Sequence, residues 1–350
     1  MFATRTVGNA PYAYLGKSSP AFPALALANQ LGGNLKYPGA ENKTRHVRVV
    51  EGSIPSFLVF TWKVAPLVRS LRLTMLVEDS VDPSRKDLKA KHGLSIEAEV
   101  EDAGKRFSLL LDTGSSPNVI LHNARILDAD LKKTKAIFLS HGHHDHTGGL
   151  IGVLRHIGKR TPIVAHPRVF EPKMKLTPVL TFVGSPYRRS DVEASGGLLL
   201  LSRNPITLME GVSATGEIER VTSYEKVKGF WTISRERFME DMLVDDQALI
   251  FKVGGKGLVI VSGCAHAGIV NTVMHSKKVM EVGRIHALVG GFHLAGADRE
   301  RVRLTVEELQ QVDPEFVYPC HCTGRKAVNR LKRAFGERCR TPKTGDVIEL

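Results

Sequence analysis

A chain of 350 residues with 42% apolar and 24% charged residues has the composition of a globular protein with a sizeable core, which excludes disorder as the default. Its net charge of +13 favours anionic partners without choosing among phosphorylated metabolites, nucleic acid and acidic lipid. Four cysteines are too few to frame a fold of this length, which points to a reducing, cytoplasmic setting, and no apolar run reaches the roughly 20 residues of a membrane span.

Residues 1–70 are rich in Ala, Gly, Pro and Asn, have no sustained period, and carry only Glu41 and Glu51 against a series of lysines and arginines. They read as a basic N-terminal extension, flexible or non-native, and residues 71–350 as one domain. LRLTMLVED, beginning at Leu71, is the first expected strand; LSIEAEVE alternates as a second; Gly104 marks a turn into KRFSLLLD, which ends at Asp112. VILHNARILDAD is expected to be helical, KAIFLS a buried strand, and GGLIGVLRHIG a helix. From about Pro162 to Asp246 the pattern is irregular and is expected to be a pocket-forming insertion of loops and short elements. QALIFKV and GLVIVSGCAH form a hairpin, HALVGGFH and EFVYPCHC are further strands, and RKAVNRLKRAFG is a C-terminal helix. Two strand-rich halves with helices outside them predict an α/β fold of the αββα sandwich type.

The strands deliver histidines to one edge. KAIFLS runs into His141-Gly142-His143-His144-Asp145-His146, and three later strands end at His266, His293 and His321. In an extended loop residues two apart point the same way, so His141 and His143 can grip one ion, while Asp145 and His146 reach a second. Two divalent ions are therefore expected, zinc foremost and Mn2+, Fe2+ or Mg2+ as alternatives. Such a pair, roughly 3.5–4 Å apart, serves hydrolytic or phosphoryl chemistry.

The H-x-H-x-D-H run, with Asp112-Thr113-Gly114 upstream, resembles the metallo-β-lactamase superfamily over about Leu71 to Leu350. That resemblance implies that Asp112 braces the metal loop and that His321 is the last metal ligand. His92-Gly93-Leu94-Ser95, Thr215-Gly216-Glu217-Ile218, GCAHAGIVN from Gly263, Gly290-Gly291-Phe292-His293-Leu294 and HCTG from His321 resemble a narrower branch. It is named for 7,8-dihydropterin-6-ylmethyl-4-(β-D-ribofuranosyl)aminobenzene 5′-phosphate synthase, an enzyme of methanopterin biosynthesis that joins a dihydropterin diphosphate to a ribosylated aminobenzene phosphate. Many members of that branch are known only as metal-dependent hydrolases.

The sequence departs from the commoner superfamily pattern at Gly263-Cys264-Ala265-His266, where many members have Gly-Asp and a bridging carboxylate. His266 is the expected metal ligand there, and Cys264 is expected to be a buried apolar thiol rather than a soft ligand. His293 is expected to be a general acid or phosphate ligand, with a structural histidine as the alternative, and Asp145 to share in the chemistry. Thr323 and Lys326 at the start of the C-terminal helix, Arg220, and His92 are the expected substrate contacts. His144 is out of phase and read as structural; His46, His122, His156, His166, His275 and His286 have no motif around them.

The function expected is a dinuclear-metal enzyme acting on an anionic, phosphorylated small molecule, by group transfer or hydrolysis. A nuclease or phosphodiesterase of the same fold and a non-catalytic metal-bound protein are the alternatives. A nuclease would also account for the positive charge, but no nucleic-acid-binding module is recognisable.

Overall fold

The computed structural model describes residues 68–102, 105–176, 178–234 and 236–350. The expected N-terminal extension, with His46, lies outside them except for Val68–Ser70, as does the turn at Gly104. Strand β1 (Ser70–Val77) shows how the sandwich is built. Its first residues alternate, Ser70 and Arg72 out and Leu71 and Leu73 in, and from Thr74 onward both faces are buried. Leu71, Leu73 and Met75 join the core between the two sheets, whereas Leu76 and Val77 join the core beneath an outer helical layer. A strand covered on both sides has no reason to alternate.

β2 (Ser95–Asp102) and β3 (Lys105–Leu111) follow as an antiparallel pair with Asp102 opposite Lys105. Parallel strands β4 (Thr134–Phe138), β5 (Thr161–Ala165) and β8 (Gly197–Leu201) then extend from β3, and the C-terminal strand β17 (Val347–Glu349) closes the other edge against β1. The facing sheet has the order β16 (Phe316–Cys320), β15 (Ile285–Gly291), β14 (Gly257–Ser262), β13 (Ala248–Val253), β10 (Val212–Ala214) and β9 (Ile206–Met209). Ile96, Leu111 and Phe138 from one sheet share a core with Phe251, Val261 and Val289 from the other.

Helices cover both outer faces, which makes the αββα sandwich. α1 (Pro117–Ile126) and α3 (Leu150–Ile157) lie on the first sheet, with the one-turn α2 (His144–Thr147) and α4 (Arg189–Ala194) beside them. Gly158, at φ 68°, ends α3 in the left-handed conformation glycine adopts without strain. α5 (Ile269–Met280), α6 (Arg299–Val312) and α7 (Arg325–Phe335) cover the second sheet. The sequence reading left α5, α6 and β17 unassigned, although Asp298 caps α6 by accepting from the Arg301 amide and Val302, Val306 and Leu309 repeat on its inner face.

The stretch from Pro162 to Asp246 departs from the expected insertion. β5 and β8 belong to the first sheet and β9 and β10 to the second. Among the described residues, two strand pairs lie outside these two sheets and meet in a separate sheet of order β12 (Arg237–Glu240), β11 (Phe230–Ser234), β6 (Lys173–Lys175) and β7 (Thr181–Phe182). Strands of three to five residues are too short to display a period, and an interior parallel strand such as TPIVA is buried throughout and so does not alternate.

Candidate metal centre

β3 and β4 run parallel in one sheet and β14, β15 and β16 in the other, so their carboxyl ends open on one edge of the sandwich. The chain leaves β3 at Asp112, β4 toward His141, β14 toward His266, β15 toward His293 and β16 at His321. Such an edge is where open α/β sheets place their sites. Asp112, His293 and His321 have φ of 55°, 44° and 49°, a conformation that turns the side chain sharply off the strand end.

Two groups of three donors stand side by side. In the histidine set, Nε2 of His141 lies 2.9 Å from Nδ1 of His143, and Nε2 of His266 lies 3.2 and 3.1 Å from those two atoms. In the mixed set, Nε2 of His146 and Nε2 of His321 are 3.2 Å apart, with Oδ2 of Asp145 at 3.7 and 3.4 Å from them. The two rings of His141 and His146 are 4.2 Å apart, so the sets adjoin.

The partners behind these rings settle which nitrogen is bare. A carboxylate only accepts, so the 2.7 Å contact to Asp112 Oδ2 places the His146 proton on Nδ1 and leaves Nε2 a lone pair. The Ser140 hydroxyl donates to the same carboxylate at 2.7 Å, which leaves its oxygen to accept from Nδ1–H of His141 at 2.9 Å. His141 Nε2 is then also a lone pair. Asp112 further accepts from the Ser140 amide at 2.7 Å and is fully buried, so one carboxylate orients a ring in each set. The close approach requires a bare backbone: a Cβ on Gly263 would stand 2.0 Å from the Ser140 hydroxyl and 2.9 Å from Asp112 Oδ2. Asp79 does for His321 what Asp112 does for His146, its Oδ1 lying 2.9 Å from Nδ1.

Electrostatics follow from this packing. Burial pushes the imidazoles of His141 and His266 well below the ordinary range and that of His143 down to about 3, so all three are neutral and free to donate lone pairs near pH 7. Burial opposes ionisation of Asp145, but His146, His321 and His143 around it hold it well below the ordinary carboxylate range. Three neutral nitrogens converging on one point cannot satisfy one another by hydrogen bonds, because each proton serves a single acceptor. Together with the ionised carboxylate next door, this donor chemistry fits two divalent cations.

Of the expected ligands, the structure therefore brings all six together: His141, His143 and His266 in one set, Asp145, His146 and His321 in the other. His293 lies beside the histidine set, its ring 4.1 Å from that of His266 and its Nδ1 buried with no partner among the described residues. His92 sits on the rim, Nε2 at 3.3 Å from Asp145 Oδ2 and Nδ1 at 3.1 Å from Asp79 Oδ2; Asp79 above all raises its pKa. His144 is exposed at the start of α2, and Lys326 is exposed in the first turn of α7.

Thr323 and Arg220 are both tied to neighbouring backbone. The Thr323 hydroxyl is buried and committed, accepting from the Phe292 amide at 3.1 Å and donating to the Cys320 carbonyl at 2.7 Å, so it ties β15 to β16. The Arg220 guanidinium donates through Nη2 to the carbonyls of Met242 and Leu243, at 2.5 and 3.2 Å, and so holds the segment leading to β13, while its Nη1 is buried with no partner among the described residues. Sequence reasoning also passed over Asp79 and a buried ion cluster. Lys173 Nζ lies 2.8 Å from Asp245 Oδ1 and 3.0 Å from Asp241 Oδ2, and Asp245 Oδ2 accepts from the Gly142 amide in the middle of the histidine run. The small sheet is thereby linked to the metal loop. Only the adjacency of Glu78 and Asp79 to the first strand end offered a signal; for Lys173 there was none.

The model of the metallo-β-lactamase superfamily matches residues 100–321. The 7,8-dihydropterin-6-methyl-4-(β-D-ribofuranosyl)-aminobenzene-5′-phosphate synthase of Methanocaldococcus jannaschii is 38% identical over 267 residues, 75% of this chain and 90% of that protein. An uncharacterized protein of the same organism is 30% identical over 249 residues, 70% of this chain and 88% of its own length. Among solved structures, a metal-dependent hydrolase of the β-lactamase superfamily superposes with a TM-score of 0.68 at 26% identity, over 80% of this chain and 99% of that one. With its αββα sandwich and this cluster at the strand ends, the chain belongs to the metallo-β-lactamase superfamily.

Proposed function

We propose that this protein is a dinuclear-metal enzyme acting on a phosphorylated small metabolite. The reaction is a condensation of the kind its 38%-identical relative is named for, or a related hydrolysis. The observation that carries this reading is the pair of adjoining three-donor sets, with Asp112 orienting His146 directly and His141 through Ser140, and Asp79 orienting His321. His141, His143 and His266 would hold one ion and Asp145, His146 and His321 the other, and zinc suits this mixture of imidazole and carboxylate. Such ions supply Lewis acidity, polarising a phosphoryl oxygen and acidifying the attacking group.

The chain's own residues do the rest. Asp145 is ionised and can accept or steer the proton of the incoming nucleophile. His293 has an unpartnered nitrogen next to the histidine set, suited to giving a proton to the departing oxygen. Arg325 and Lys326, exposed at the N-terminal turn of α7, add positive charge where a helix start already favours a phosphate. His92, on the open rim, is the side chain best exposed to meet a substrate from outside. Four free cysteines support a cytoplasmic setting, and no helix among the described residues is long and apolar enough to cross a membrane.

The test is reconstitution with zinc, elemental analysis, and assay against a dihydropterin diphosphate with ribofuranosylaminobenzene 5′-phosphate, and against phosphomonoesters and phosphodiesters. About two ions per chain and turnover in one of these assays are expected. Binding of less than about half an ion per chain refutes the reading.

A further inference from the structure

Cys264 stands where the two donor sets meet. It is buried, two residues past the end of β14, and its Sγ lies 3.2 Å from Nε2 of His146, the nitrogen that Asp112 leaves unprotonated. The same sulfur closes a group with His141 and His146 in which the donor atoms all lie within 4.8 Å of one another. One sulfur is thus within reach of a member of the histidine set and a member of the mixed set. In the metal-free protein its proton can be directed at the His146 lone pair.

We propose that Cys264 is a thiolate ligand shared between the two metal positions, the donor that joins the sets in a chain with no aspartate after β14. The inference rests on the two-ion reading above. The Cys322 thiol donates to the Cys264 carbonyl at 3.6 Å, which holds the backbone that carries the Cys264 sulfur. A soft sulfur donor at the junction would bias the centre toward zinc or cobalt and away from magnesium or manganese. The competing placement is the group of Cys264, His293 and Cys322, whose donor atoms also fall within 4.8 Å. There Cys322 would be an equal partner.

The test loads the full chain with cobalt(II) and records both the cobalt content and the thiolate-to-cobalt charge-transfer absorption in the near ultraviolet. The wild type is expected to take up about two ions and to show the band. Cys264→Ser should lose the band, Cys264→Asp should keep both ions without it, and Cys322→Ser should keep ions and band alike. Two ions bound with no thiolate band in the wild type overturn the role of Cys264 and leave the two-ion centre standing. A band that survives in Cys264→Ser, or vanishes in Cys322→Ser, also overturns it and moves the ion to the second thiol. A wild type that takes up no cobalt overturns the two-ion reading and this proposal with it.

Discussion

Replacing Asp112 by Asn should weaken both donor sets at once, because one carboxylate orients a ring in each. Asp112 has φ 55°, a region that Asn tolerates, so the backbone need not move and the volume is conserved. Oδ1 can still accept from the Ser140 amide. The other position becomes an amide donor facing His146 Nδ1 and the Ser140 hydroxyl, where the carboxylate accepted from both at 2.7 Å. The relay then reverses. His146 must turn Nδ1 into an acceptor and carry its proton on Nε2, and Ser140 must donate to His141 Nδ1 with the same result for that ring. Each set loses a lone pair. Loss of such an orienting partner costs about 10–100-fold in metal affinity, or about 1.4–2.7 kcal/mol per set. Stepwise dissociation constants from chelator competition are the assay, with thermal melting of the metal-free protein as the folding control. Unchanged affinity for both ions would refute the relay; a loss confined to one ion would refute the part that runs through Ser140.

His143→Ala should lose metal and activity together, since the histidine set keeps only two donors, as elemental analysis beside turnover would read. His293→Ala should keep its metal while turnover falls by roughly a hundredfold or more; loss of metal as complete as in His143→Ala would make His293 a ligand. Acidification gives a signed test. His143 has its folded pKa lowered to about 3, while the unfolded chain takes up this proton near the ordinary value of about 6.5. Its contribution to stability is therefore full above about pH 6.5 and lost as pH falls toward 3, by at most about 1.4 kcal/mol per pH unit. Denaturant unfolding of the metal-free wild type between pH 7 and 5 should lose more stability than the His143→Asn variant does, and equal slopes would contradict burial as the cause. Lys173→Met leaves Asp241 and Asp245 buried without their cation, which should destabilise the fold by about 3–5 kcal/mol, read as a lowered Tm.

Much of the centre is legible in the sequence because its first half is local. Residues two to five apart in an extended loop and one helical turn have little freedom in where they point, so the run from His141 to His146 carries its own geometry. Strands that end in Asp112, His293 and His321 announce that their tips matter, and alternation or apolar runs mark the strands themselves. What joins tip to tip is not local. Whether Cys264 packs away as a thiol or faces His141 and His146 depends on how the second sheet seats against the first, 118 residues from His146 along the chain. Thr323 and Arg220 have the residue types of anion contacts, and only the packing reveals that the Thr323 hydroxyl and one guanidinium nitrogen of Arg220 are taken by neighbouring backbone. Lys173 reads as an ordinary surface base until the small sheet folds it against Asp241 and Asp245, 68 and 72 residues away, where burial makes the pairing obligatory. The sequence by itself determined which atoms could bind and in which loop they lie; the tertiary structure decided which lone pairs are bare, because that depends on partners brought from distant strands.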